Sequence, residues 1–123
     1  MRTATQQLGQ AGEKIARRFL KKNGFRVLAA NYECAAGEID LIGFREGCIV
    51  FFEVKSRASD AAAPPEENIT PAKRRQMEKT ARYWLAAHRH PDCAYRFDAI
   101  SVVIPPEGEP TVRHIIEAFT PSR

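Results

Sequence analysis

Two short stretches decide the fold: residues 37–42, GEIDLI, and residues 50–55, VFFEVK. Alternating polar and apolar residues predict a strand over 37–44. Residues 48–55 are rich in β-branched and aromatic side chains, which predict a second strand. Arg45-Glu46-Gly47 lies between the two stretches and fits a hairpin turn. The centre of the chain is therefore predicted to form an antiparallel hairpin.

Three charged residues interrupt these apolar strands. Alternation places Ile39 and Leu41 on one face of their strand and Asp40 on the other, while Glu53 and Lys55 share a face of the next strand. Counted back from the turn, the carboxylates of Asp40 and Glu53 can lie side by side. At roughly 4 Å and an effective dielectric of about 20 they would repel by about 4 kcal/mol. Mg²⁺ or Mn²⁺ would relieve that repulsion and could activate a water against phosphorus.

A simpler interpretation of Lys55 is a cross-strand ion pair that neutralises the two acids. The functional interpretation is favoured because polar groups within apolar strands cost stability unless they are paired or used. Lys55 could stabilise negative charge on a phosphate, or help to orient and deprotonate the attacking water. These roles need opposite protonation states of Lys55, and the sequence does not decide between them.

The rest of the chain predicts two helices and further strands around this hairpin. A helix interrupting a strand series predicts a crossover between parallel neighbours, so the sheet should be mixed. Thr70-Pro71 is typical of a helix start, and Pro91 prevents that helix from continuing. The other predicted segments are a helix over 5–23, a strand over 25–30, a long loop over 56–68, a strand over 95–104 and a possible strand over 112–116.

Composition indicates one domain over residues 1–123, since 123 residues with 44% hydrophobic content suffice for one core. No apolar run is long enough to cross a membrane, and the amino terminus lacks the apolar stretch of a signal peptide, so we expect a cytoplasmic protein. Cys34, Cys48 and Cys93 are odd in number and lack a close pair, which favours buried reduced thiols over a disulfide or zinc site. The net charge of +4 gives weak support for a polyanionic partner.

The second helix begins with a basic run that includes Lys73, Arg74, Arg75 and Lys79, with Gln76 among them. The run is either an ordinary solvated face or a phosphate-binding surface beside the metal. Elsewhere, Asp98 is expected to pair with a basic side chain. The isolated histidines, including His114, lack a metal-ligand spacing and are expected to be structural or exposed.

The two central stretches resemble the core motif of the PD-(D/E)xK nuclease superfamily. With residues 12–16 (GEKIA), 70–73 (TPAK) and 96–98 (RFD), nearly the whole chain resembles the bacterial YraN family. The pattern is also similar to archaeal Holliday-junction resolvases. The motif of the superfamily has a proline directly before its first aspartate. This chain departs from the motif there, because Ile39 precedes Asp40.

This resemblance implies an α/β, restriction endonuclease-like αβββαβ core with a mixed sheet flanked by helices. It implies Asp40 and Glu53 as metal ligands, the Val54 carbonyl as a further ligand, and Lys55 as the catalytic lysine. In the resolvases an early helix supplies a glutamate to the metal site, and Glu13 occupies the matching place here. The alternative for Glu13 is a solvated side chain near Arg17, four residues on. Glu38 is expected to support the acids, and Arg57, Lys73, Arg74 and Gln76 to contact nucleic acid.

The implied activity is metal-dependent hydrolysis of DNA phosphodiesters, with branched or structured DNA as the expected substrate. A homodimer is plausible by analogy with the resolvases. Two alternatives remain: a nucleic-acid-binding module of nuclease fold with little catalysis, and a scaffold for a protein partner.

Overall fold

The order of elements matches the order predicted from the sequence. The computed structural model describes residues 3–59, 69–90 and 92–121. The α/β class and the αβββαβ order are confirmed, and the stretch around 112–116 belongs to a further strand. The elements within the described ranges are α1 (Ala4–Lys22), β1 (Arg26–Cys34), β2 (Gly37–Arg45), β3 (Cys48–Arg57), α2 (Pro71–Ala87), β4 (Ala94–Val103) and β5 (Thr111–Phe119).

The strands form one mixed sheet in the order β1-β2-β3-β4-β5. β3 and β4 are parallel, whereas the other neighbouring pairs are antiparallel. α2 lies between β3 and β4 in the chain and provides the crossover that a parallel pair needs. The predicted turn joins β2 to β3, with φ values of 51° at Glu46 and 79° at Gly47. Two successive positive φ angles are typical of a tight hairpin turn.

Local capping fixes where both helices start. The Thr3 side chain accepts a hydrogen bond from the Gln6 backbone N–H, and the Gln6 side chain accepts one from the Thr3 backbone N–H. This reciprocal capping box satisfies donors that a helix start leaves free. Thr70 caps α2 in the predicted way, because its hydroxyl accepts from the Lys73 backbone N–H at 3.1 Å. The cap places Lys73 in the first turn of α2.

Each face of the sheet is covered by one helix and carries its own apolar core. Buried residues of α1 pack with one set of strand residues, and buried residues of α2 pack with the opposite set. The α1-side core is centred on Leu20, Val50 and Phe52, and the α2-side core on Phe51 and Trp84. Side chains that alternate along β3 thus reach both cores.

β1 and β3 both extend beyond their predicted ends. β1 continues to Cys34, because Tyr32 and Cys34 pair with Ile39 and Gly37 of β2. β3 includes Ser56 and Arg57, which pair with Val102 and Val103 of β4. The loop predicted to start at residue 56 therefore begins later, and its residues 60–68 lie outside the described residues. Pairing with a neighbouring strand of the sheet outweighs the polar composition of both extensions.

Neither helix in the described part of the chain is long and apolar enough to span a membrane. The cysteines are free thiols, and each is half-buried rather than fully buried as predicted. Half-burial follows from their positions, since Cys34 and Cys48 lie at strand ends and Cys93 precedes β4.

Candidate functional site

The candidate site lies where β2 and β3 stop pairing. Their registered pairs run from Arg45 opposite Cys48 to Leu41 opposite Phe52. Beyond that point the Val54 backbone N–H donates to Oδ2 of Asp40 at 2.7 Å. The Asp40 side chain thus accepts a backbone hydrogen bond that a neighbouring strand would otherwise accept. This bond holds the Asp40 carboxylate beside the Glu53-Val54 peptide.

The predicted alternation fails at the same place. Ile39 packs in the α2-side core and Leu41 in the α1-side core, so the prediction that they share a face is wrong. Strict alternation assumes a regular strand. Here the Asp40 side chain engages the backbone of β3, and β2 departs from regular pairing.

Glu53 faces the start of α2. Nζ of Lys73 lies 3.7 Å from Oε2 of Glu53, and the Glu53 side chain is only 13% exposed. The Thr70 cap and the Pro71 start of α2 therefore bring a lysine to the site from a distant part of the chain. Lys73, predicted as a nucleic-acid contact, lies next to Glu53, a predicted metal ligand.

The pKa values of both carboxyl groups are raised above their ordinary values. Burial raises the pKa of Asp40, aided by the charges of Glu38 and Glu13 and opposed by the Val54 N–H and Lys73. Burial, followed by the charge of Asp40, raises the pKa of Glu53 to about 7, while Lys73 and Lys55 act in the opposite direction. Buried acids that interact in this way favour binding a proton or a cation. Perturbed pKa values of this kind are common at functional sites.

A cavity of about 630 Å³ opens in front of Asp40. It is lined by α1, by β1 and by the diverging ends of β2 and β3, including Gln10, Glu13, Asn31, Glu38 and Asp40. A second opening of about 600 Å³ shares Gln10, Glu13 and Asn31 and extends along α1 past Lys14 and Arg17. The structure therefore brings the predicted Glu13 and Glu38 to the same cavity as Asp40.

Asn31 is a site residue that the sequence reasoning missed. Its φ of 53° is left-handed, and its Nδ2 donates to Oε1 of Glu13 at 2.9 Å. Asparagine tolerates this conformation better than most residues, and it is uncommon within strands. An asparagine near a predicted strand end was the available signal, but its contact with α1 is long-range.

We expect Asn31→Gly to weaken Mn²⁺ binding about tenfold, the lower end of the range for partners that orient metal ligands. Glycine accepts the left-handed φ, so the substitution removes the amide donor without adding backbone strain. Titration calorimetry measures the effect, with Glu13→Gln as the comparison. If Glu13→Gln weakens binding and Asn31→Gly does not, Asn31 has no role in positioning Glu13.

The remaining predicted nucleic-acid contacts are not gathered at Asp40. Arg74 donates through Nε to the Ile69 carbonyl at 3.0 Å and lies over the Phe119 ring. Gln76 packs across Gly37, where an added Cβ would clash with its side chain. Arg57 is the last residue of β3. Arg74 and Gln76 thus make structural contacts.

The donor set suits a hydrated hard cation more than a preformed cage. Within the described residues, no group of three or more His, Cys, Asp or Glu side chains is close enough to hold a metal ion. Mg²⁺ typically uses one or two carboxylates and keeps several waters. Asp40 and Glu53 provide two carboxylates of this kind.

Asp98 forms a separate polar cluster that joins β4 to β5. Its carboxylate is fully buried and accepts from His114 Nε2 at 2.7 Å, from Arg96 Nε at 3.0 Å and from the Glu117 N–H at 3.0 Å. Burial raises its pKa, but these bonds outweigh burial and leave the pKa below the ordinary value. The expected basic partner of Asp98 is confirmed as Arg96. His114 also packs edge-on against Phe25, so its structural role is confirmed.

Comparison with known proteins identifies relatives along nearly the whole chain. The model of "Uncharacterised protein family UPF0102" matches residues 12–102, a range that includes Glu13, Asp40, Glu53 and Lys55. A UPF0102 protein of Trichlorobacter lovleyi is 40% identical over 93% of this chain and 91% of its own. A UPF0102 protein of Geotalea daltonii is 43% identical over 91% and 88%. A third, from Renibacterium salmoninarum, is 40% identical over 89% and 92%.

Proposed function

The chain belongs to the UPF0102 (YraN) family, and from that premise and the geometry of the site we propose that it is a metal-dependent phosphodiesterase acting on DNA. One observation carries the proposal. The half-buried carboxyl groups of Asp40 and Glu53 interact with each other and both have raised pKa values, beside Lys55 and Lys73. An ion pair built only for stability would be expected to lower these pKa values.

In this proposal Asp40 and Glu53 hold Mg²⁺ or Mn²⁺, with the Val54 carbonyl, while Glu13 and Glu38 adjust the charge of the cavity. The bound ion would supply charge neutralisation and a water of lowered pKa. The Val54 N–H keeps Asp40 oriented. Lys55 either neutralises charge developing on the phosphate or takes part in removing the proton of the water.

The contact between Lys73 and Glu53 supports the same proposal. A contact of 3.7 Å between half-buried groups partly neutralises Glu53 before a cation binds. Arrival of a divalent ion would weaken that attraction, leaving the ammonium available to a phosphate oxygen. A lysine acts as a point charge toward phosphate and needs no fixed geometry.

The experiment is titration of Mn²⁺ into the wild type and Asp40→Asn, followed by cleavage assays on branched, nicked, single-stranded and duplex DNA. We expect wild-type binding and cleavage that EDTA abolishes, and loss of both in Asp40→Asn. Glu109→Gln removes one exposed acid from the segment between β4 and β5 and should behave as wild type. Cleavage by Asp40→Asn at the wild-type rate would contradict the proposal.

A second candidate function is a nucleic-acid-binding module with no hydrolysis. It is favoured by the Lys73–Glu53 contact, which already provides Glu53 with a cation. Under this alternative, DNA binding falls steeply with salt but is indifferent to EDTA and to Asp40→Asn. Absence of Mn²⁺ binding together with salt-sensitive DNA binding would favour the module over the nuclease.

A further inference from the structure

A third cavity, of about 430 Å³, lies away from Asp40 between α2 and the turn joining β1 to β2. We call it the Tyr83 pocket, and it is lined by Ala35, Ala36, Lys79, Arg82 and Tyr83. Arg82 and Tyr83 follow Lys79 by three and four positions, so both side chains lie on the same side of α2 as Lys79. The two alanines are small and leave room beside them.

Tyr83 does not belong to the core. The residue is 55% exposed, whereas its neighbour Trp84 is 3% exposed and packs in the α2-side core. Among the described residues, the other exposed large hydrophobic side chains, Leu28 and Ile116, come from strands at the two edges of the sheet. Tyr83 is therefore an aromatic ring presented on a helix, beside two cations.

The exposed face of α2 is complementary to a polyanion. Arg75, Lys79 and Arg82 are exposed, and the one acidic residue of α2, Glu78, is only 5% exposed. A cationic groove with an aromatic ring is the arrangement by which proteins hold single-stranded nucleic acid, with bases stacked on the ring.

The pocket also lies within reach of the candidate site. Lys73 contacts Glu53, and ten residues of α2 separate it from Tyr83, about 15 Å along a helix. A stacked DNA strand rises about 3.4 Å per nucleotide, so an unstacked strand covers that distance in no more than about four nucleotides. From the other side, Ala36 is followed within two residues by Glu38, which lines the cavity of Asp40.

We propose that the Tyr83 pocket binds an unstacked nucleotide of a single-stranded segment flanking the phosphate that is cleaved. The base stacks on Tyr83, and Lys79 and Arg82 contact the adjacent phosphates. The position relative to cleavage rests on the function proposed above. The substrate class is then DNA with a single-stranded segment next to the scissile bond, such as an overhang, a flap or an open junction.

The test is fluorescence anisotropy in EDTA, where metal binding and cleavage play no part. The probes are labelled oligothymidylate, a duplex with a single-stranded overhang and a blunt duplex. Tyr83→Ala should weaken binding of the first two about tenfold, within the range for loss of one stacked base, and leave the blunt duplex unchanged. Tyr83→Phe keeps the ring and should bind as wild type.

The charged residues are tested by salt dependence. Lys79→Ala with Arg82→Ala should reduce the slope of log affinity against log salt by about 1.4 for single strands, the value for two lost phosphate contacts. Arg18→Ala with Lys22→Ala removes matched exposed charges from α1 and should change the slope less. An equal change in both double variants would overturn a specific pocket.

The outcomes separate this inference from the proposed function. If Tyr83→Ala binds oligothymidylate as tightly as wild type, or if Tyr83→Phe is as weak as Tyr83→Ala, the stacking role is wrong even when cleavage is intact. If Tyr83 matters for binding but no cleavage occurs with Mg²⁺ or Mn²⁺, the pocket stands and the nuclease proposal fails. Loss of binding to blunt duplex as well would show a general surface rather than a single-strand pocket.

Discussion

Glu53→Gln is expected to stabilise the metal-free protein at pH 8 while it reduces metal-dependent cleavage by roughly a hundredfold or more. Burial and Asp40 raise the pKa of Glu53 to about 7 from 4.5. A raised carboxyl pKa means that the folded state holds its proton more tightly than the unfolded state does. Folding stability therefore falls as pH rises from about 4.5 through 7 and stays low above that range.

Glutamine has no proton to lose, so the variant escapes this penalty, which is about 3 kcal/mol at pH 8. Urea unfolding at pH 8 and pH 5 measures the difference in stability between the variant and the wild type, which should be large at pH 8 and small at pH 5. Glu109→Gln, at an exposed acid, should leave the unfolding midpoint unchanged at both pH values. Equal stability of wild type and Glu53→Gln at pH 8 would contradict a strained carboxylate pair.

Saturating Mn²⁺ should reverse the order of stability at pH 8. A ligand that binds only the folded state stabilises it in proportion to its occupancy. The wild type should gain from the ion, whereas Glu53→Gln should gain little. Holding the two acids together would lower the stability of the metal-free protein. Such a cost is common at functional sites.

The central hairpin could be predicted from sequence because its determinants are local. The turn at Glu46-Gly47 sets the register of the hairpin, which pairs Leu41 with Phe52 and so places Asp40 next to Glu53 at the end of the pairing. The exact face of Ile39 could not be predicted, since it depends on the Asp40 side chain replacing a strand contact. The periodicity of the sequence does not indicate where a strand departs from regular alternation.

The surroundings of the acids depend on contacts between distant segments. Asn31 reaches Glu13 across eighteen positions, and Lys73 approaches Glu53 across twenty. The basic run at the start of α2 was visible in the sequence, but its side chains separate on folding. Lys73 contacts Glu53, Arg74 lies over the Phe119 ring, and Lys79 lines the Tyr83 pocket. One-dimensional charge patterns do not distinguish these directions.

Asp98→Asn is expected to lower the free energy of unfolding by about 3 kcal/mol, the size seen when one partner of a buried ion pair is removed. Asparagine preserves the shape of the side chain, and its oxygen can still accept the Glu117 N–H. Its neutral amide cannot compensate Arg96, and one side-chain acceptor is replaced by a donor facing these donor groups. The substitution therefore exposes the electrostatic contribution rather than a packing defect.

The pH dependence gives this prediction a sharper test. The pKa of Asp98 is lowered in the folded protein, so its stabilisation is fully present above the unfolded value of about 3.9. It is lost as pH falls through the lower folded pKa. The gap between wild type and Asp98→Asn should therefore stay constant from neutral pH to about pH 5, and narrow only in stronger acid.

Urea unfolding over this pH range measures the gap, and Asp92→Asn, at an exposed acid, is the matched control. Mn²⁺ affinity of folded Asp98→Asn should equal that of the wild type, because Asp98 is bound by Arg96, His114 and Glu117 rather than by residues of the Asp40 cavity. A gap below about 1 kcal/mol would mean that the cluster contributes no more than an exposed salt bridge. Lost metal binding with intact folding would instead couple Asp98 to the site through its β3 neighbour Phe52, which directly precedes Glu53.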